Sequence, residues 1–270
     1  MPKIVFWSPQ ATSVGQTLSV VAASTMMAIE EDYSNLILHA HWKSKKIESS
    51  FSAYDDLKKM NVFNSSSLGI TALVRLIESN KLTPESVRNY AKPVLKQRLD
   101  VMYGTNVESR EQFVKFTESF PRVVTVANQS YDLTWIDCPK SEQREYIKAV
   151  VADADMVVVT LDQEIVNFDE CMELYASSEL IKDKNKVILM CNYEEKSKYN
   201  IPNLRRRYGI KDPIMSIPTN YIFADACNDG KVIDFFYKNL NADIKDYNGK
   251  FIHAIKELNK KILDNIKIVN

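Results

Sequence analysis

The sequence predicts an α/β protein in which a mostly parallel central sheet of about seven strands lies between two layers of helices. Short apolar runs bounded by polar turns recur along the chain, with helix-period segments between them, the pattern of repeated βα units. Several of these runs are apolar without interruption, as strands covered on both faces should be. Composition agrees: 45% of the 270 residues are apolar and 26% charged, enough for a substantial core. With only six glycines and no repeat, low-complexity tract or Pro/Gly-rich linker, residues 1–270 read as one domain.

The predicted strands are Lys3–Trp7, Asn35–His39, 99–103, 133–136, Met156–Leu161, 186–192 and 214–217. The first helix is the apolar stretch from Leu18 to Ile29. Thr83 before Pro84 and Glu85 places a cap residue ahead of proline at the first helical position. Ser109 and Gln112 have capping-box spacing and open a helix through Glu118. Ser141 and Arg144 open another, to about Asp153. The segment "NVFNSSSLGITALVRLIESNKLTPESVRNYAKP", between the second and third strands, is expected to form helices near the loop that follows the first strand. The last helix, about 247–265, carries Phe251, Ile255, Leu258 and Ile262 at a helical period. It reads as a docking helix with a lysine face (Lys250, Lys256, Lys260, Lys261), the alternative being an amphipathic surface contact.

Lys+Arg and Asp+Glu are equal at 35 each, which leaves no global footprint for nucleic acid or an anionic membrane. Cys138, Cys171, Cys191 and Cys227 are widely spaced, so neither a zinc site nor a disulfide framework is indicated; free thiols in a reducing cytosol are expected. The opening apolar run is too short for a signal peptide, and no stretch approaches the roughly 20 apolar residues that span a bilayer. A cytoplasmic protein is the expectation.

The chemistry concentrates in a few places. "SPQATSVGQT", Ser8 to Thr17, lies between the first strand and first helix, the setting of a phosphate-binding loop. Such a loop binds phosphate through backbone N–H groups and a helix N-terminus, so its length, Gly15 and Thr17 fit. Gln10 stands at its first glycine and Gln16 at its lysine. In "YDLTWIDCP", Asp137 ends an apolar strand, the position from which an acid holds Mg²⁺ through water. Taken singly, an ordinary loop and a turn-capping Asp explain both equally well.

Together these residues resemble the ParA/MinD family of deviant Walker-A P-loop ATPases over nearly the whole chain. That family's loop, K-G-G-x-G-K-[ST]-[ST], corresponds to Ala11, Thr12, Ser13, Val14, Gly15, Gln16, Thr17 and Leu18. The signature lysine, which acts across a dimer, falls on Ala11, and the P-loop lysine on Gln16. The acidic motif after the second strand falls on His39-Ala40-His41-Trp42-Lys43. The resemblance implies a Walker B acid at Asp137, adenine recognition by Asn192 in "VILMCN", and a base pocket lined by Pro218 in "SIPTN". It implies bound ATP or ADP, with Mg²⁺ held by Thr17 and Asp137. The text from "KYNIPNLRRRYG" to "KVIDFF" and the opening "FWSP" resemble TadZ-like and other ParA-like proteins of Gram-positive pilus, secretion or conjugative loci. The receiver-like domain usual at the start of TadZ-like proteins has no counterpart in this sequence.

With both lysines absent, the stabilisation of charge that drives phosphoryl transfer is largely gone. The expectation is a dimeric positioning or assembly factor for a pilus, secretion or conjugative apparatus, a pseudo-ATPase or very slow ATPase. Two alternatives stand beside it: an active ATPase in which Lys140 or Lys43 supplies the missing charge, and a DNA-binding partition-type ATPase using Arg205, Arg206, Arg207 and nearby Lys211. The arginine run is otherwise a solvated helix face. His39 and His41, at i and i+2 on a strand, would share one side; they read as a hydrogen-bonded strand-end pair, or as two of the ligands a metal would need.

Overall fold

The computed structural model describes residues 1–9, 15–42, 44–53, 56–57, 69–105, 107, 109–139, 144–266 and 268. Its strands are β1 (Lys3–Trp7), β2 (Asn35–His39), β3 (Lys92–Leu95), β4 (Leu99–Val101), β5 (Leu133–Asp137), β6 (Met156–Leu161), β7 (Lys186–Tyr193) and β8 (Ile214–Pro218). They form one eight-stranded sheet in the order β3-β4-β2-β5-β1-β6-β7-β8. Every neighbouring pair is parallel except β3 with β4.

The helices are α1 (Gln16–Glu30), α2 (Lys46–Phe51), α3 (Gly69–Glu78), α4 (Pro84–Tyr90), α5 (Arg110–Ala127), α6 (Glu145–Ala152), α7 (Ile165–Ser177), α8 (Ile201–Tyr208), α9 (Tyr221–Asn228), α10 (Val232–Asn239) and α11 (Tyr247–Asn265). Strand alternation sorts them into two layers. Ile4 and Phe6 of β1 join the core made with α1, α2, α9, α10 and α11. Val5 and Trp7 face the opposite core, made with α3 to α8. Both faces are covered, which is why β1, β2, β5 and β6 are buried at nearly every position. This is the three-layer α/β/α architecture read from the sequence.

The differences are local. The sheet gains β3, a four-residue antiparallel edge strand containing Pro93, and edge strands are where proline is tolerated. Helix α1 starts at Gln16, two residues before the apolar stretch. Helix α5 runs on to Ala127, with Pro121 inside it. The proline removes one N–H, yet Phe120, Val123, Val124 and Ala127 bury an apolar face that holds the last turns in place. Strand β4 ends at Val101 rather than 103. Arg144 caps α6 without a side-chain bond, and Ser141 lies outside the described residues. The expected caps form elsewhere: Thr83 accepts from the Ser86 N–H, and Ser109 from that of Gln112. In α11 the stripe Phe251, Ile255, Leu258 and Ile262 is buried against the core, and Asn259 donates to the Ala23 carbonyl of α1 at 2.9 Å. All four cysteines are free and buried.

Candidate functional site

Strand order reverses at β1: the chain runs outward to β2 and β4 on one side, returns to β5 beside β1, then crosses to β6 and runs outward through β7 and β8 on the other. In open parallel sheets the crevice beyond the carboxyl ends of the strands at such a point is where ligands bind. The residues singled out in the sequence converge there. Phe6 of β1 pairs with Asp137, and His39 of β2 pairs with Asp137 from the other side.

Gly15 caps α1 with φ of 79°, a left-handed conformation that glycine adopts without strain. A Cβ there would also lie 3.2 Å from Cys191 Cβ and 3.3 Å from Asn192 Nδ2, so the start of α1 is pressed against the end of β7. Gln10, Ala11, Thr12, Ser13 and Val14 lie outside the described residues, as do Lys43 and Lys140.

Gln16 is turned inward and is 4% exposed. Its amide nitrogen donates to Asp137 Oδ1 and to the Cys138 carbonyl, each at 2.6 Å. Its amide oxygen accepts from Thr160 Oγ1 at 2.9 Å. Both donors of the amide and one acceptor lone pair are therefore spent inside the protein. Thr17 donates to the other carboxylate oxygen, Asp137 Oδ2, at 2.7 Å. His41 Nε2 lies 3.0 Å from the same oxygen, as a charge contact rather than an aligned hydrogen bond. Burial pushes the Asp137 carboxyl up, but the His41 imidazole and the bonds from Thr17 and Gln16 outweigh it and hold the group below its ordinary range.

A second buried pair adjoins the first. Strand β2 ends at His39, so His41 lies past it and the one-sided strand geometry does not arise; the two rings nonetheless sit 5.8 Å apart. They serve different carboxylates. His39 Nε2 is 3.0 Å from Glu48 Oε1 of α2, and the Gly104 N–H donates to that oxygen at 2.8 Å. Burial pulls the His39 pKa down and pushes that of Glu48 up, yet their mutual attraction wins: His39 is raised and Glu48 lowered. Among the described residues no group of three His, Cys, Asp or Glu side chains is placed to hold a metal. Neither Thr160 nor Glu48 stood out in the sequence reading. Thr160 carried a signal, as the one polar residue in the apolar run of β6; Glu48, in "KIESSF", carried none.

The remaining candidates lie around this centre. Leu18 is half-buried against the α1 core. Asn192 adopts φ of 52° at the end of β7 with its side chain exposed, and Pro218 ends β8 in register with Tyr193. Arg205, Arg206 and Arg207 form the last turn of α8, where cations meet the negative end of the helix dipole. Arg207 also lies 3.5 Å from Asp169 and over the Tyr208 ring.

For magnesium, Thr17 and Asp137 offer the hard oxygens the ion requires. Both carboxylate oxygens already accept protein hydrogen bonds, so the ion fits only where the Thr17–Asp137 bond opens.

No protein-family model matches the sequence, and no curated protein matches it. Solved structures do match along their full length. A ParA family ATPase from Chlorobium tepidum aligns with a TM-score of 0.71 at 12% identity, covering 96% of this chain and 97% of that one. The septum site-determining protein MinD from Pyrococcus horikoshii, in complex with Mg-ADP, gives 0.67 at 15% identity, covering 99% of each. A putative plasmid partition protein from Borrelia burgdorferi bound to AMPPNP gives 0.65 at 15%, covering 98% and 99%. At these identities the likeness concerns the backbone, and on that ground this chain has the fold of the ParA/MinD ATPases.

Proposed function

We propose that this chain, acting as one ParA/MinD-like domain over residues 1–270, is a positioning or assembly factor whose nucleotide site has lost its cationic chemistry. It hydrolyses ATP slowly or not at all. It works in the cytoplasm as a homodimer serving a pilus, secretion or conjugative apparatus of the TadZ-like kind. The observation that carries this reading is Gln16: the side chain at the P-loop lysine position is neutral, and its hydrogen-bonding groups are engaged by Asp137, Cys138 and Thr160. Loss of one preorganised electrostatic donor raises a barrier by roughly 2.7–4 kcal/mol in other enzymes. Here the second lysine position is also neutral, as Ala11.

Ground-state binding of ATP or ADP survives weakly through the backbone N–H groups of the loop Gln10 to Leu18, with Asn192 and Pro218 at the base. Bound magnesium, held by Thr17 and Asp137, would offset phosphate charge. The names of the structural neighbours, a septum site-determining protein and a plasmid partition protein among them, support positioning as the kind of task. The test is calorimetry with ATP-Mg²⁺ and ADP on the wild-type chain and on Gln16→Lys with Ala11→Lys. Restored lysines are expected to tighten binding at least tenfold, roughly 1.4 kcal/mol. An unchanged affinity would mean that the loop does not hold phosphate.

A further inference from the structure

A groove separate from the Asp137 centre opens between α5 and α6. Its volume is about 740 Å³, within the range of small-molecule sites. Both helices follow a strand and lead into the next parallel one, so both begin at the carboxyl edge of the sheet. The groove thus has two distinguishable ends. Its floor is aromatic: Phe113 and Tyr146, both buried. Trp42 closes one side, stacked on Phe113 with ring centroids 5.8 Å apart and planes at 23°. Trp42 is nonetheless 42% exposed and Val114, on the wall, 48%, so a substantial apolar surface faces the opening.

The charge at the edge end is cationic. Arg110 is the first residue of α5, and Arg144 is the N-cap of α6. Two guanidinium groups stand where two helix dipoles also present their positive ends. Arg144 donates to the Tyr146 hydroxyl at 3.3 Å, which draws it toward the groove. Glu145 at the rim is turned to Lys148 at 2.8 Å. Glu118 also lines the groove, on the third turn of α5 away from the arginine end. The polarity is therefore directional: two arginines at one end, where the nearby Glu145 is paired with Lys148, then an apolar body, and Glu118 beyond it.

We propose that this groove binds a small amphiphilic anion, with an apolar ring system against Trp42, Phe113 and Val114 and a single carboxylate, sulfonate or phosphate group at Arg110 and Arg144. Aromatic side chains supply the contact area and arginine the planar recognition of an oxyanion. This does not rest on the nucleotide reading: none of the groove residues belongs to the Asp137 network.

The test uses 1-anilinonaphthalene-8-sulfonate on the full chain, with the neutral analogue N-phenyl-1-naphthylamine beside it. Saturable one-to-one binding of the sulfonate is expected, at least tenfold tighter than that of the neutral compound. Replacing Arg110→Gln together with Arg144→Gln should weaken the sulfonate at least tenfold and leave the neutral compound unchanged. Val114→Asp, an exposed position at which the fold can be checked by circular dichroism, should abolish both. Sulfonate binding indifferent to Val114→Asp would place it elsewhere and overturn the proposal. Equal affinity for the two compounds, with no dependence on the arginines, would overturn it too.

Discussion

Asp137 and Glu48 are both carboxylates sealed at the carboxyl edge of the same sheet, each beside a histidine, and the protein satisfies the rest of each group differently. Asp137 receives neutral donors on each oxygen, from Gln16 and Thr17, with His41 alongside. Glu48 concentrates its bonding on Oε1, which meets His39 and the Gly104 N–H, while Oε2 has no hydrogen-bond partner among the described residues. The charged partner of Asp137, His41, is partly exposed and the neutral donors remain, so neutralising Asp137 strands no fully buried charge. A buried ion pair leaves a stranded charge when either partner goes.

That contrast can be broken or sharpened by experiment. The largest effect is expected for Glu48→Ala, which leaves His39 without its counter-charge and Gly104 without its acceptor. Urea unfolding should show a loss of about 3 kcal/mol or more. Gly104→Ala comes next. Its Cβ would stand 2.3 Å from His39 Cε1 and 2.6 Å from Nε2, the atom that meets Glu48, so the ring must shift and that contact is disturbed. Overpacking of this kind costs roughly 1–3 kcal/mol, and the His39 pKa should fall with it, as measured by NMR titration. Asp137→Asn keeps the shape and loses one acceptor, at a cost of about 1–2 kcal/mol. A loss as large as that for Glu48→Ala would erase the distinction between the two centres.

The smallest effect is in the pH profile. His39 is raised above 6.5, so its contribution to stability is complete below pH 6.5 and is lost as pH climbs through the raised value. Glu48 is lowered from 4.5, so its contribution is present above pH 4.5 and is lost as pH falls through the lowered value. Asp137, lowered from 3.8, behaves in the same direction further into acid. Stability should be highest between pH 4.5 and 6.5 as far as the His39–Glu48 pair governs it. It should decline above that window by less than about 1.4 kcal/mol per pH unit, the limit for one proton. In His39→Gln the decline above pH 6.5 should disappear.

The same contrast explains what the sequence made legible. Asp137 ends a continuous apolar strand and precedes Cys138-Pro139, a local signal that needs no knowledge of the fold. β1, β2, β6 and the span of α11 are read to the residue for the same reason, since periodicity is local. Glu48 sits in a short helix whose sequence predicts nothing, and its partner across the β2–α2 connection is fixed only by tertiary packing. β3 was missed because four residues with a proline carry no strand pattern of their own; pairing with β4 makes them a strand. The helix expected to stop at Glu118 continues through Pro121 to Ala127, because burial of its last turns outweighs the proline. The substitution of Gln16 was visible in the sequence, but not its inward turn onto Asp137, Cys138 and Thr160.

The central claim is that a site with Gln16 locked onto Asp137 turns over ATP slowly or not at all. Phosphate release from ATP-Mg²⁺ by the wild-type chain, set against that of Asp137→Ala, tests it most directly. The account predicts a wild-type rate at or barely above the protein-free background, with Asp137→Ala at the background. Robust release by the wild type that disappears in Asp137→Ala would contradict it.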